Sequence, residues 1–448
     1  MSTGVQSAEP ARSIPRKLSL RKNFSWTFAG NLLQTFARWG MLFVLVKLGD
    51  AATVGVYALG IAVCQPILTL TNLHLRAALV TDARHEYSYG QYIGLRLAGA
   101  ALTVIIATAV VFIAGYPPST KLVIILISIG VAVISVREVF LGIAQKHECM
   151  NLSGQSQIIL SFAAFSVFVT IFGVTRELAW TVLGLLVVRT GLLLIRDIPK
   201  ARSVLDRLAK PGEPTSLRPD WSLGMLGRLS VRVLPLGVAM AIGSFSNNVP
   251  HYFLQGYHGA SPLGYYAAIA SITQAAIVLI NTLGIAASPR LAEIFISDRR
   301  AFGRLLIRLQ AIAAGLGLLG IVLSTLFGEF ALAVLYGPEY AAYATEFIWL
   351  TVAMTFVFMA SMFVYAIMAA RVFVVLLCAW CAGALVSVVS SILLIPARGV
   401  QGAAWAQFAS SAALLVAAAT AMLIVMKRAA AEEPGAAPFP SDNSGEVV

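Results

Sequence analysis

Three arginines, Arg38, Arg137 and Arg189, stand deep inside apolar runs long enough to cross a bilayer. A guanidinium near the bilayer centre costs a few kcal/mol or more against lipid, so each is expected to face protein or a water-filled hollow. Arg76 and Arg232 lie nearer the ends of their runs, where snorkelling is an adequate explanation. One acid, Glu138, is expected at the same depth. An excess of cations predicts recognition of an anion, because the planar guanidinium fork matches phosphate or carboxylate. The competing reading is an internal ion pair of Glu138 with Arg189 or Arg137. Adjacent residues on a helix project about 100° apart, so Arg137 and Glu138 do not face each other well, and such a pair would still leave cations unmatched.

Amides extend the pattern. Thr27, Asn31, Gln34 and Arg38 fall along one helical stripe, and Gln65, Thr69, Asn72 and Arg76 repeat the spacing. Farther on come Ser244, Asn247, His251 and Gln255, and then Gln274 and Asn281, with Val278 and Ile285 where Thr69 and Arg76 stood. Any single amide serves equally well as interhelical glue worth about 0.6 to 2 kcal/mol. Four-residue stripes in adjacent spans favour a polar cavity lined by Arg38, Arg137, Arg189, Arg76, Asn31, Gln34, Gln65, Asn72, Asn247, Gln274 and Asn281. His74 and His251 are possible protonation switches, but hydrogen-bonded packing is their plainer role. Cys378 and Cys381 form a C-x-x-C without a nearby histidine, which points to packing. No metal and no cofactor is expected.

The elements that carry these groups are membrane helices. Of the 448 residues, 59% are hydrophobic and 12% charged, and the mean hydropathy is +0.84, which excludes a soluble protein. A span needs about 20 mainly apolar residues. Such stretches run near 24–46, 54–78, 91–114, 121–144, 157–175, 177–196, 229–255, 262–288, 303–326, 344–369, 372–395 and 401–426. Gly55, Tyr57, Ala58, Gln65, Leu70, Asn72 and Ala77 recur 209 positions later as Gly264, Tyr266, Ala267, Gln274, Leu279, Asn281 and Ala286. The chain therefore reads as an all-α polytopic membrane protein, with about 12 transmembrane helices in two six-helix lobes related by a parallel pseudo-twofold repeat.

Lys and Arg set the orientation. One set of loops is crowded with them, while the other holds only Lys47, Lys121, Arg176 and Arg398. Both termini are thus expected in the cytoplasm, and the net charge of +12 reflects topology and not nucleic-acid binding. Lys47 and Arg398 are expected to be replaceable without effect. The domains predicted are a basic tail (1–23), an N-lobe (24–197), a cytoplasmic surface linker (198–227), a C-lobe (228–428) and a disordered tail (429–448).

Four stretches carry a family resemblance: LGDAATVGVYALG after the first span, SPRLAEIFISDRRAFGRLL after the eighth, LYGPEYAAYA before the tenth and RGVQGAAWAQ opening the twelfth. They resemble the polysaccharide-transport branch of the multidrug/oligosaccharidyl-lipid/polysaccharide exporter superfamily, over nearly the whole chain. The resemblance implies two lobes in a V with alternating access, and coupling to protons or sodium, known in this superfamily, would fall to Glu138, the one acid expected at depth. It also implies a flippase that carries a polyprenyl-diphosphate-linked oligosaccharide across a bacterial inner membrane for exopolysaccharide, capsule or O-antigen assembly. Its partners would be this anionic lipid-linked glycan, membrane lipids and a polysaccharide polymerase with its export machinery. Multidrug exporters of the superfamily typically hold cations on acidic residues, and the first span has none. Lipid II flippases usually carry two further helices, and no apolar run follows Arg428. A membrane glycosyltransferase or polymerase is a further alternative, but there is no D-x-D motif or sizeable outward loop to support one, so no enzyme is expected.

Overall fold

The computed structural model describes residues 20–73, 75–82, 86–208, 215–370 and 372–431. No strand occurs among the described residues. In lipid every backbone amide must be paired within its own segment, so apolar runs of this length form helices. The first lobe contains α1 (Leu20–Leu48), α2 (Ala51–Asn72), α3 (Tyr89–Ile113), α4 (Pro118–Lys146), α5 (Met150–Thr175) and α6 (Leu178–Leu192). After a left-handed Leu73, α2 is followed by a short helix, Leu75–Thr81. A π turn at Leu193–Asp197 and a helix at Ile198–Leu208 continue α6. The second lobe contains α7 (Leu223–His258), α8 (Ala260–Ala275 with Ile277–Ser297), α9 (Arg299–Leu335) and α10 (Ala344–Ala369). Gly399 divides the final stretch, Phe373–Ala431, into α11 (373–398) and α12 (400–431). Among the described residues nine stretches are long and apolar enough to cross a membrane. Counting α1 and α7 and dividing the last stretch at Gly399 gives twelve spans.

Local chemistry sets the joints. Asp50 caps α2 by accepting from the Thr53 amide at 2.8 Å, and Asp298 caps α9 by accepting from Ala301 at 2.9 Å. Ser88 and Gln91 form a reciprocal capping box at α3. At Gly399, φ is 54°, a left-handed conformation that suits glycine. That reversal explains why RGVQGAAWAQ opens a span.

The two six-helix lobes are related by a pseudo-twofold along the membrane normal, and the repeated sequence lies at their junction. A Cβ on Gly55 would overlap the Ala260 carbonyl, and one on Gly264 would overlap the Ala51 carbonyl and lie 3.1 Å from Gly55 N. The duplicated glycines thus let α2 and α8 cross backbone to backbone. Around them one apolar core joins both lobes, from Leu45 and Val54 to Leu263, Tyr340 and Ala403. It occupies the end of the molecule that carries few charges. At the opposite, basic end the packing divides. One core joins Leu75, Tyr92, Phe140 and Leu205, and another joins Ile280, Phe302, Met362 and Met422. Apart from α7, whose Leu229 joins the first of these two cores, the lobes meet at one end and pack separately toward the basic loops. Large exposed side chains such as Ile105, Phe112, Phe327 and Phe330 form the lipid-facing surface.

The segment after α6 packs onto the first lobe, burying Ala201, Val204 and Leu205, and the Asp220 amide donates to the Gly90 carbonyl at 2.9 Å. One expectation needs correction: Cys378 and Cys381 are exposed and do not pack between helices. Lys47 Nζ donates to Val334 O at 3.1 Å and ties α1 to α9. The expected tails lie mainly outside the described residues, as do His74 and His85, and the Thr27 and Arg232 side chains lie outside them too.

Candidate functional site

The charged groups gather inside the first lobe on α1, the short helix after α2, α3, α4 and α6. At mid-depth Arg38 is reached by solvent and Arg189 is half-buried, although both lie within spans. Tyr57 is within electrostatic range of both guanidinium groups, which also interact with each other. No carboxylate pairs with Arg38 or Arg189 among the described residues. A Cβ on Gly130 would lie 2.6 Å from Arg189 Nη1, so the missing side chain leaves room for that guanidinium. Solvent-reached polar groups at this depth must line water and not lipid. Asn31, one turn pair from Arg38 on the same face, is exposed, and Gln34 and Gln65 are half-buried nearby along α1 and α2.

Arg137 departs from its sequence expectation. It is buried and paired with Asp197 through Nε and Oδ2. Its Nη2 donates to Ser156 Oγ at 2.8 Å, and its Nη1 donates to Gln157 Oε1 at 3.2 Å. Ser156 in turn donates to Asp197. A guanidinium so occupied braces α4, α5 and the π turn and has no free fork for an anion. Glu138 is likewise not the sole deep acid, because Asp197 is 4% exposed.

Glu138 turns the other way and meets Arg76 Nη1 at 2.6 Å. Arg76 Nε donates to Gln145 Oε1 at 3.0 Å. Neither Arg137 nor Arg189 pairs with Glu138, as the alternative reading required, and Arg76 does more than snorkel. These groups, with Asn72 and Arg96, border a cavity of about 430 Å³ near the basic end. Arg96 is buried at 1% exposure and donates through Nη1 to Asn72 O at 3.2 Å.

Across the cleft, Asn247, Gln274 and Asn281 are exposed on α7 and α8. Asn281 Oδ1 accepts from Tyr365 at 3.5 Å. His251 lies edge-on to Tyr266 at 5.1 Å. The structure thus brings together Arg38 and Arg189 with Tyr57, and Arg76 and Asn72 with Glu138, and it sets the second-lobe amides apart from both groups. Sequence reasoning passed over Arg96, Asp197 and Tyr57. Arg96 was readable as a cation one-third of the way into a span. Asp197 was not, because it sits where the apolar run gives out.

Two helical lobes around a cleft, with cations and amides beside it that pair with no carboxylate among the described residues, make this a multi-pass integral membrane protein. The chain has the fold of the MOP superfamily and resembles the polysaccharide branch of that group. No family model matches it. A curated relative, the capsular polysaccharide biosynthesis protein CapF of Staphylococcus aureus, is 25% identical over 322 residues, covering 71% of this chain and 78% of CapF. Among solved structures, the lipid II flippase MurJ in an inward closed conformation superposes with TM-score 0.65 at 11% identity, covering 92% of this chain and 91% of MurJ. An inward-facing multidrug resistance MATE family transporter of the MOP superfamily gives 0.62 at 14% identity, covering 89% and 95%. The Vibrio cholerae MATE transporter VcmN gives 0.60 at 13% identity, covering 92% and 97%.

Proposed function

We propose that the protein is a flippase that moves a polyprenyl-diphosphate-linked oligosaccharide across a bacterial inner membrane, for assembly of a capsule, exopolysaccharide or O-antigen. The observation that carries this reading is the pair Arg38 and Arg189, unmatched by any carboxylate among the described residues and beside a cleft that opens toward the basic loops. The capsular polysaccharide relative supports the substrate class. In this reading the basic loops and both termini are cytoplasmic, and the N-lobe (24–197) and C-lobe (228–428) rock about their shared core to alternate access. The two arginines receive the diphosphate or acidic sugars through charge-assisted hydrogen bonds. Asn31, Gln34, Gln65, Asn247, Gln274 and Asn281 offer bonds to sugar hydroxyls, and the polyprenyl tail stays in lipid. A polysaccharide polymerase and export machinery would take the product.

The test is polymer export in cells carrying single variants. Arg38→Ala and Arg189→Ala should reach the membrane at normal abundance yet lower surface polymer at least about tenfold, the effect of losing one charged hydrogen bond. Normal surface polymer with both variants would overturn the proposal.

A further inference from the structure

We infer that the cavity between α2, α3 and α4 is a binding site for a phosphoryl group of about one negative charge, separate from the Arg38 and Arg189 pair. Two guanidinium groups, Arg76 and Arg96, border it with one carboxylate, Glu138. Arg76 is matched by that carboxylate at 2.6 Å. Among the described residues no carboxylate forms an ion pair with Arg96. Its Nη1 reaches a neutral carbonyl, Asn72 O, at 3.2 Å, and its Nε is buried without a partner. A buried charged donor left unsatisfied is costly, and removing one partner of a buried charge is costlier still, so the site is built for an anion that the chain itself does not supply.

Three features select a phosphoryl group. Arg96 lies on α3, Arg76 and Asn72 belong to α2 and the helix that follows it, and Gln145 is on α4. A tetrahedral phosphoryl accepts bonds from several directions at once, whereas a carboxylate accepts in one plane. Asn72 Oδ1 is buried and also lacks a partner. A half-turn of the amide exchanges oxygen for nitrogen and presents a donor to the cavity. Two cations and Glu138 leave one positive charge, which suits a phosphodiester or a singly charged phosphate and disfavours a dianion. The cavity's 430 Å³ is many times the ~30 Å³ share of one water, enough for such a group with its hydration. Its place at the basic end puts it within reach of both a lipid headgroup and free phosphate. The inference holds whatever the transporter carries.

Thermal unfolding of the full chain in maltoside detergent, which contributes no phosphate, tests it in two arms. One arm titrates sodium phosphate against sodium chloride at matched ionic strength, and the other titrates phosphatidylglycerol against a neutral glycolipid. A rise of the unfolding midpoint with phosphate identifies free phosphate as a ligand, a rise with phosphatidylglycerol identifies a headgroup, and either supports the site. Arg96→Gln should abolish the rise, and Asn72→Ala should weaken apparent affinity about tenfold. The inference fails with no rise in either arm, or with a wild-type response from Arg96→Gln. If Arg96→Gln does not fold, an unchanged response from Asn72→Ala overturns it.

Discussion

The two lobes share a frame but not an interior. In the first lobe, α4 alone sends Arg137 to Asp197 on one side and Glu138 to Arg76 on the other, both inside the membrane-spanning region. The second lobe is stitched by small hydroxyl residues. Ser246 and Ser410 lie 3.3 Å apart, Ser387 donates to Ser246 O at 2.9 Å, and Ser410 donates to Gly383 O at 3.1 Å. Its ion pair among the described residues, Arg304 with Asp298 at 4.0 Å, is exposed. At the repeated tyrosine the contrast is direct: Tyr57 has two arginines in range, and Tyr266 has His251. Duplication kept the glycines and tyrosines that build the crossing and left the charges to one copy. The proposed anion chemistry is therefore a property of one half of a symmetric frame, with the other half offering amides and shape.

That contrast breaks most directly at the buried pair. Arg137→Leu leaves Asp197 uncompensated and is expected to cost about 3–5 kcal/mol, whereas Arg137→Met with Asp197→Leu should regain most of the loss. Ser246→Ala in the second lobe should cost about 1 kcal/mol or less. Unfolding midpoints of the purified variants decide it, and equal losses in the two lobes would erase the distinction. The shared frame is tested next. Gly55→Val and Gly264→Val each force apart the same crossing, an overpacking of about 1–3 kcal/mol, and should shift the lobes toward the arrangement open at the sparsely charged end. Spin-label distances across that end should lengthen in both variants alike. A response from one glycine alone would mean the crossing is not symmetric. The smallest effect is expected at Lys47→Ala, which removes one interlobe hydrogen bond of about 1 kcal/mol. Labelling of cysteines placed at the lobe junction should rise slightly while midpoints barely move, and an unchanged labelling rate would return Lys47 to a purely topological role.

The twelve spans were legible because lipid leaves an apolar run of twenty residues no other form. Their joints were less so. The left-handed Leu73 lies within a stretch read as one span, the π turn at Leu193–Asp197 lies where an apolar run gives out, and neither contains a glycine or proline to mark a break. The turn places Asp197 beside Arg137, a pairing set by three-dimensional packing over 60 positions. Hence Arg137 read as a free cation when it is a brace. The angular argument did survive, since Arg137 and Glu138 turn to different partners. Arg38 and Arg189 stood out because depth alone makes an arginine conspicuous, and Tyr57 was noticed for its repetition but not for its neighbours. The alternation of Gly55 and Gly264 signalled duplication long before it signalled contact.

The fastening of α7 has a mechanical corollary. Its foot is held near the first lobe, where Leu229 joins the packing of Leu73 and Tyr92 and the preceding Asp220 is bonded to Gly90 and Gln91. Its head is held too, where the Tyr252 hydroxyl donates to Ala62 O. Along its length it is also fastened to its own lobe, with Gly243 against Trp380 of α11, Ser246 O accepting from Ser387 and His258 Nε2 at 2.8 Å from Ile395 O. A rod fastened to both lobes cannot swing freely with either. If the lobes move, α7 is the shaft that has to flex or slide.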